Sequence, residues 1–261
     1  MRNATVARFP VWTASLLVLM GLAIASSPGH GQPQYPPVEH FKAYRIQVPQ
    51  LFTGQATLRD QFGISTSFYR GPLFMAPPAA KNEEPVQDTL SHLDWYDFPT
   101  PEPVRTVVYR NQFGEYTLTL RDGRYMLVPS LKNAGPAVAL PESLSHFKCY
   151  QAEGVIPSIT VTLQTQFGTE VVQVAAPELF CNPADKQVGG AFYPLVNPDE
   201  HLVCYRITPP LPIDQQVFLR DQLCVTNAFV LEDVWLCVPS LKLSVTDTKS
   251  STWGKVKTIY R

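Results

Sequence analysis

Apolar and polar residues alternate with a period of two along much of the chain. Ile159, Val161 and Leu163 are interleaved with Thr160, Thr162 and Gln164, and Tyr116, Leu118 and Leu120 with Thr117 and Thr119. Successive side chains of a strand point to opposite faces, so this alternation predicts strands buried on one side. The block Gln-Phe-Gly falls between two such runs, where glycine can adopt the positive φ that a hairpin loop needs. Asp122-Gly123 predicts a second tight turn, leading into a strand from Tyr125 to Val128.

These elements recur. Four segments open alike: His40-Phe-Lys-Ala-Tyr44, His92-Leu-Asp-Trp-Tyr96, His146-Phe-Lys-Cys-Tyr150 and His201-Leu-Val-Cys-Tyr205. Their spacing is roughly 50 residues, a period that signals a repeated structural unit. A second block follows each histidine after about 20 residues: Asp60-Gln-Phe-Gly63, Asn111-Gln-Phe-Gly114, Thr165-Gln-Phe-Gly168 and Asp221-Gln-Leu-Cys224. A third block closes the unit at residues 73–78, 126–132, 179–184 and 236–242.

Each unit, about 40 residues long, reads as one strand, a proline-rich crossing and a three-strand meander, giving some four strands per unit and about sixteen in all. The fold class is therefore all-β. The shared HFK opening and PSLK ending pair the units two by two. This favours tandem antiparallel β-sandwich or barrel domains at residues 39–132 and 146–243, with 133–145 as linker. A four-bladed, propeller-like ring is the alternative. Residues 26–38, rich in Pro, Gly, Ser and Gln, predict a disordered leader, and 244–261 a C-terminal tail.

The cysteines follow the repeat. Cys149 and Cys204 hold the same place in two opening blocks, and Cys181 and Cys237 the same place in the matching closing blocks. In the first two units these places hold Ala43 with Met75 and Trp95 with Leu127. Joint replacement by apolar residues is the behaviour of core positions whose sulfurs bond to each other. Symmetry favours Cys149 with Cys181 and Cys204 with Cys237, and a pairing swapped between the units is the rival. Cys224 is left over, at a predicted hairpin loop; an exposed thiol there could join two chains, whereas a buried one stays unpaired.

Composition adds the compartment. Arg2 and Arg8 precede an apolar run from Val11 to Ala25 that is too short for the ~20 residues a membrane span requires. With Ala23-x-Ala25 before Ser26, Ser27 and Pro28, residues 1–25 predict a cleavable secretory signal, hence a secreted or periplasmic protein with no span in its mature form. Export makes disulfides plausible. Without that segment the charge falls from −1 to about −3, with no basic footprint for nucleic acid. Lys249, Lys255, Lys257 and Arg261 form a mild terminal cluster that reads as a solvated tail. The 25 prolines are about twice ordinary usage, consistent with short strands and turns.

Candidate chemistry is sparse. His40, His92, His146 and His201 could converge on a metal if the units surrounded an axis. The plainer reading has each histidine start a strand and hydrogen-bond a neighbouring loop. Asn182, Asp185, Asn197, Asp199 and Glu200 offer oxygens to calcium but fit no loop pattern, and Asn-Pro commonly starts a turn. The G-x-S-x-G, H-E-x-x-H, phosphate-loop and zinc-spaced cysteine motifs are absent from the sequence.

The succession HFKCY, QFG, LFCNP-x-DK, HLVCY and LCVPSLK resembles an uncharacterised domain family of exported bacterial proteins, closely over residues 146–242 and as a degenerate copy over 40–132. The resemblance implies export and a repeated β fold and no particular activity. The expectation is an exported, non-catalytic β-repeat protein without a cofactor, structural or binding a protein or glycan; Tyr69, Tyr109 and Trp253 would suit such a ligand if exposed. An exported hydrolase with an unfamiliar site is the alternative.

Overall fold

The computed structural model describes residues 38–247. The secretory segment, nearly all of the leader, Trp253 and the terminal basic cluster lie outside the described residues. Unit one contains β1 (Phe41–Gln47), β2 (Phe52–Asp60), β3 (Gly63–Ala76) and the short β4 (Ala80–Lys81); unit two contains β5 (His92–Thr100), β6 (Arg105–Asn111) and β7 (Gly114–Lys132). Unit three contains β8 (His146–Glu153), β9 (Ile159–Thr165), β10 (Gly168–Val188) and β11 (Ala191–Tyr193), and unit four β12 (His201–Thr208), β13 (Pro212–Arg220) and β14 (Val225–Asp247). Among the described residues no helix is long and apolar enough to cross a membrane.

The fold is all-β and antiparallel, but each unit has three principal strands rather than four. The expected turn at Asp122-Gly123 is absent, because β7 runs unbroken for 19 residues through that point. Gly123 is there for room and not for a turn: a Cβ would collide with the Thr100 hydroxyl and approach Lys148 Cε at 3.0 Å. The Gln-Phe-Gly hairpins form as expected, with Gly63, Gly114 and Gly168 at φ of 138°, 129° and 132°.

The long third strand of each unit has three partners in succession. Its first part forms the hairpin with the middle strand of its own unit, as β2–β3, β6–β7, β9–β10 and β13–β14. Its second part lies between its own opening strand, as β1–β3, β5–β7, β8–β10 and β12–β14, and the opening strand of the next unit. The latter pairs are β3–β5, β7–β8 and β10–β12, and β14–β1 closes the circle. Its tail then meets the middle strand of the unit two places away: β10 with β2, β14 with β6, β4 with β9 and β7 with β13.

Hydrogen bonding is thus ring-like through all four units. The halves are not separate sandwiches, and consecutive units share backbone hydrogen bonds rather than standing apart as blades. The reason is the edge: a half taken alone would leave opening and middle strands with unpaired backbone groups.

The ring encloses one apolar cluster containing Phe41, Ala43, Leu93, Trp95, Phe147 and Leu202 together with all four bridged cysteines. Trp95 stacks on Trp235 at 5.2 Å between ring centroids, filling with aromatic area the side of the ring that lacks sulfur. Three further clusters lie between the hairpins and the ring. Unit one departs from the expected register: Ala43 faces the ring interior, but Ala76 joins it there while Met75 packs in another cluster. A register irregularity between Arg70 and Phe74 shifts β3 by the residue concerned.

Candidate functional site

The four repeated histidines do not meet. Each reaches instead the glutamine of the next unit's second block: His40 to Gln112 at 3.0 Å, His92 to Gln166 at 3.4 Å, His146 to Gln222 at 2.9 Å and His201 to Gln61 at 3.4 Å. This is the strand-start, loop-bonding arrangement, now with the loop identified. Burial holds His40, His92 and His201 near 4 and His146 near 3, so the rings are neutral at physiological pH.

The repeated tyrosines bridge diagonally. Tyr150 donates to Asp60 Oδ2 at 2.6 Å, Tyr96 to Asp221 Oδ2 at 2.6 Å, and Tyr44 and Tyr205 meet Thr165 and Asn111 at 2.9 and 2.8 Å. The same Asp60, Asn111, Thr165 and Asp221 accept from the backbone N–H two residues on, which closes the hairpin loop. Each letter of the block therefore has a structural duty: the first residue caps the turn and receives a tyrosine, the glutamine holds a histidine, and the glycine turns the chain. Phe62, Phe113 and Phe167 pack edge-on against Tyr150, Tyr205 and Tyr44.

Cys149 bonds to Cys181 and Cys204 to Cys237, each pair directly opposed across neighbouring strands. Three of the calcium candidates accept from protein donors, while the Asn182 amide donates to Asp60. Asp185 binds Arg59 and the Leu195 N–H, Glu200 accepts from Ser145, and Asn197 caps the Asp199 N–H. Tyr69 and Tyr109 are buried, so they are packing residues and not exposed ligand-binding aromatics.

Chemistry that the repeat does not explain gathers at one place. In units one and three the opening block carries Lys42 and Lys148, each buried against carboxylate: Lys42 against Glu170 and Asp233, Lys148 against Glu102. Unit two has Asp94 in that position, and it faces unit four, where Cys224 replaces the hairpin glycine. Ligand atoms of Asp94, Asp221 and Cys224 all lie within 4.8 Å of one another. Cys224 is a free, buried thiol, which excludes the exposed inter-chain bridge. Its residue is held by Asp221, whose Oδ1 accepts the Cys224 N–H at 2.9 Å, and the Tyr96 hydroxyl that donates to Asp221 lies 3.2 Å from its sulfur.

Asp94 is fully buried; the Ser130 hydroxyl and the Asp221 carboxyl stand beside it, but among the described residues neither of its oxygens makes a hydrogen bond of normal geometry. Burial, then the nearby Asp221, pushes its carboxyl well above the usual carboxylate range, and burial raises Asp221 and Cys224 in the same sense. Lys186, the nearby cation, is lowered by burial to about 7, opposed by the charge of Asp221. It contacts Gln222 and lies 4.6 Å over the Tyr193 ring. A cavity of about 700 Å³, lined by Leu140, Leu144, His146, Tyr193, Asp221 and Gln222, opens onto the outer side of this cluster. Sequence reasoning noticed Cys224 but missed Asp94, although its place in the aligned opening blocks was the available signal.

These features define a class: an all-β repeat protein whose four units are braced to their neighbours by histidine–glutamine pairs and to their opposites by tyrosine bridges. Residues 92–239 match the family described as a repeat of unknown function, DUF7450, and the chain belongs to that family. No curated protein and no solved structure matches it.

Proposed function

We propose that the chain is an exported, non-catalytic β-repeat module with a structural or binding role in the periplasm, at the cell surface or outside the cell. The observation that carries this reading is that the repeated polar side chains of the unit are engaged in holding other units, leaving none of them to a common active site. Two disulfides are compatible with an oxidising compartment. A protein or glycan partner would meet the exposed apolar residues Ile64, Phe68 and Phe192, of which Ile64 and Phe192 share a shallow recess with Arg59 and Asp185.

A second reading, an exported hydrolase, is favoured by the Asp94–Asp221 pair beside its cavity, since paired buried carboxylates with displaced titrations are a feature of acid–base sites. Expression with the native leader, fractionation and a screen of ester, glycoside and peptide substrates separates the two. The scaffold reading expects exported protein with four of its five cysteines blocked and no turnover. Cytoplasmic retention with free thiols, or turnover that disappears in Asp221→Asn, overturns it.

A further inference from the structure

We infer that Asp94, Asp221 and Cys224 bind one divalent cation of the zinc class, tying unit two to unit four. The inference is independent of the role proposed above.

Three observations lead to it. First, the two departures from the repeat meet in space: an acid where units one and three carry a lysine, and a thiol where the other hairpins carry glycine. Either change alone would be unremarkable variation. Together they put two carboxylates and a sulfur where units one and three bury a lysine against carboxylate. Second, Asp94 is completely buried and neither oxygen makes a hydrogen bond of normal geometry, with the Ser130 hydroxyl and the Asp221 carboxyl beside it; a buried carboxylate so poorly served is costly unless something positive completes it. Lys186 is too committed to serve, because its ammonium reaches Gln222 and covers the Tyr193 ring. Third, Asp221, one of the three, also lines the neighbouring cavity, so the cluster is not sealed off from it.

The donor set selects the metal. Calcium takes six to eight oxygens and magnesium holds an octahedron of oxygens, so one sulfur with two carboxylates suits neither. Zinc accepts thiolate and carboxylate together, with bonds of about 2.0–2.3 Å that place tetrahedral donors roughly 3.5 Å apart. Cys224 Sγ and Asp221 Oδ2 already stand 3.8 Å apart, and the full set spans no more than 4.8 Å. Binding therefore needs only a small inward movement, and Asp94 gives up no hydrogen bond of normal geometry in making it. The thiol proton leaves to solvent as the sulfur becomes a ligand, as in thiolate–zinc binding generally.

The rival account is a single proton shared by Asp94 and Asp221. The test uses the full mature chain, oxidised and stripped of metal, titrated with Zn(II) against a chromophoric chelator and, separately, with Co(II) followed by absorption. The expected result is one zinc per chain, a thiolate-to-cobalt charge-transfer band, and a rise in melting temperature on adding zinc. Cys224→Ser should abolish the band, and Asp94→Asn, nearly isosteric, should weaken zinc binding by about tenfold or more. Absence of the band in the wild-type protein overturns the inference, whether or not the variants fold. So does zinc binding that is unchanged in both variants, which would mark an adventitious surface ion. An Asp94→Asn protein more stable than wild type, with no response of either to zinc, would establish the shared proton instead.

Discussion

A histidine buried beside the amide of a glutamine from another unit is the smallest piece of this architecture, and its energetics are open to direct measurement. Gln112→Leu removes the partner of His40 and leaves a buried ring nitrogen unsatisfied, so a loss of about 1–3 kcal/mol is expected in denaturant unfolding. The rings also set a pH dependence. His40, His92 and His201 titrate near 4 when folded against an ordinary 6.5, so the unfolded chain binds protons first as pH falls. Their contribution is intact above about 6.5 and is lost as pH drops toward 4, up to roughly 2 kcal/mol per ring by pH 5. The charged neighbours are Lys81 and Glu84 about His40, Lys132 and Asp88 about His92, and Lys242 about His201. Melting temperatures from pH 7.5 to 5 should fall steadily, and a flat profile would contradict buried neutral rings. At this scale the sequence reading was right about a histidine starting each strand and bonding a loop. It did not find the glutamine, because the partner lies in the next unit and not in its own.

At the scale of elements, the hairpin and the disulfide were both legible, and the strand count was not. Glycine after Gln-Phe needs a positive φ, which local chemistry alone dictates. Asp122-Gly123 has the same local appearance but sits where Thr100 and Lys148 crowd the strand, so the glycine serves close approach and the chain continues as one strand, with register irregularities on either side of it. The cystines join strands already neighbours in the ring, closing segments of 32 and 33 residues. Replacing Cys149 and Cys181 together by alanine should cost about 3 kcal/mol in unfolding free energy, chiefly by freeing the unfolded chain. Circular dichroism should be unchanged, since Trp95 with Leu127 already occupies the equivalent place without sulfur. Loss of β signal in that double variant would mean that the bridges organise the ring and do not merely fasten it.

For the whole molecule, diagonal pairing decides what can fold alone. The middle strands of units three and four lie against the tails of units one and two, as β9 on β4 and β13 on β7, while β14 also closes on β1. A fragment of residues 146–243 lacks all three partners. It should fail to give a folded monomer, and should dimerise or aggregate through its free edges, as read by gel filtration and circular dichroism. A circular permutant opened between residues 133 and 145, with the ends of β1 and β14 joined by a linker, should keep the fold, because every pairing survives. A stable, cooperative monomer from the fragment would restore the two-domain reading.

The amino-acid pattern by itself determined the all-β class, the fourfold unit, the turn chemistry and which cysteines stand in equivalent places, because each follows from residues near in sequence or from their repetition. Tertiary structure decided the rest: that the halves share one ring-like sheet, that histidine and tyrosine reach different units, and that Asp94 meets Cys224. Those are contacts between residues far apart in the chain, and their partners are selected by the closure of the ring and the need to satisfy every buried edge and polar group. No periodicity along one dimension encodes that geometry.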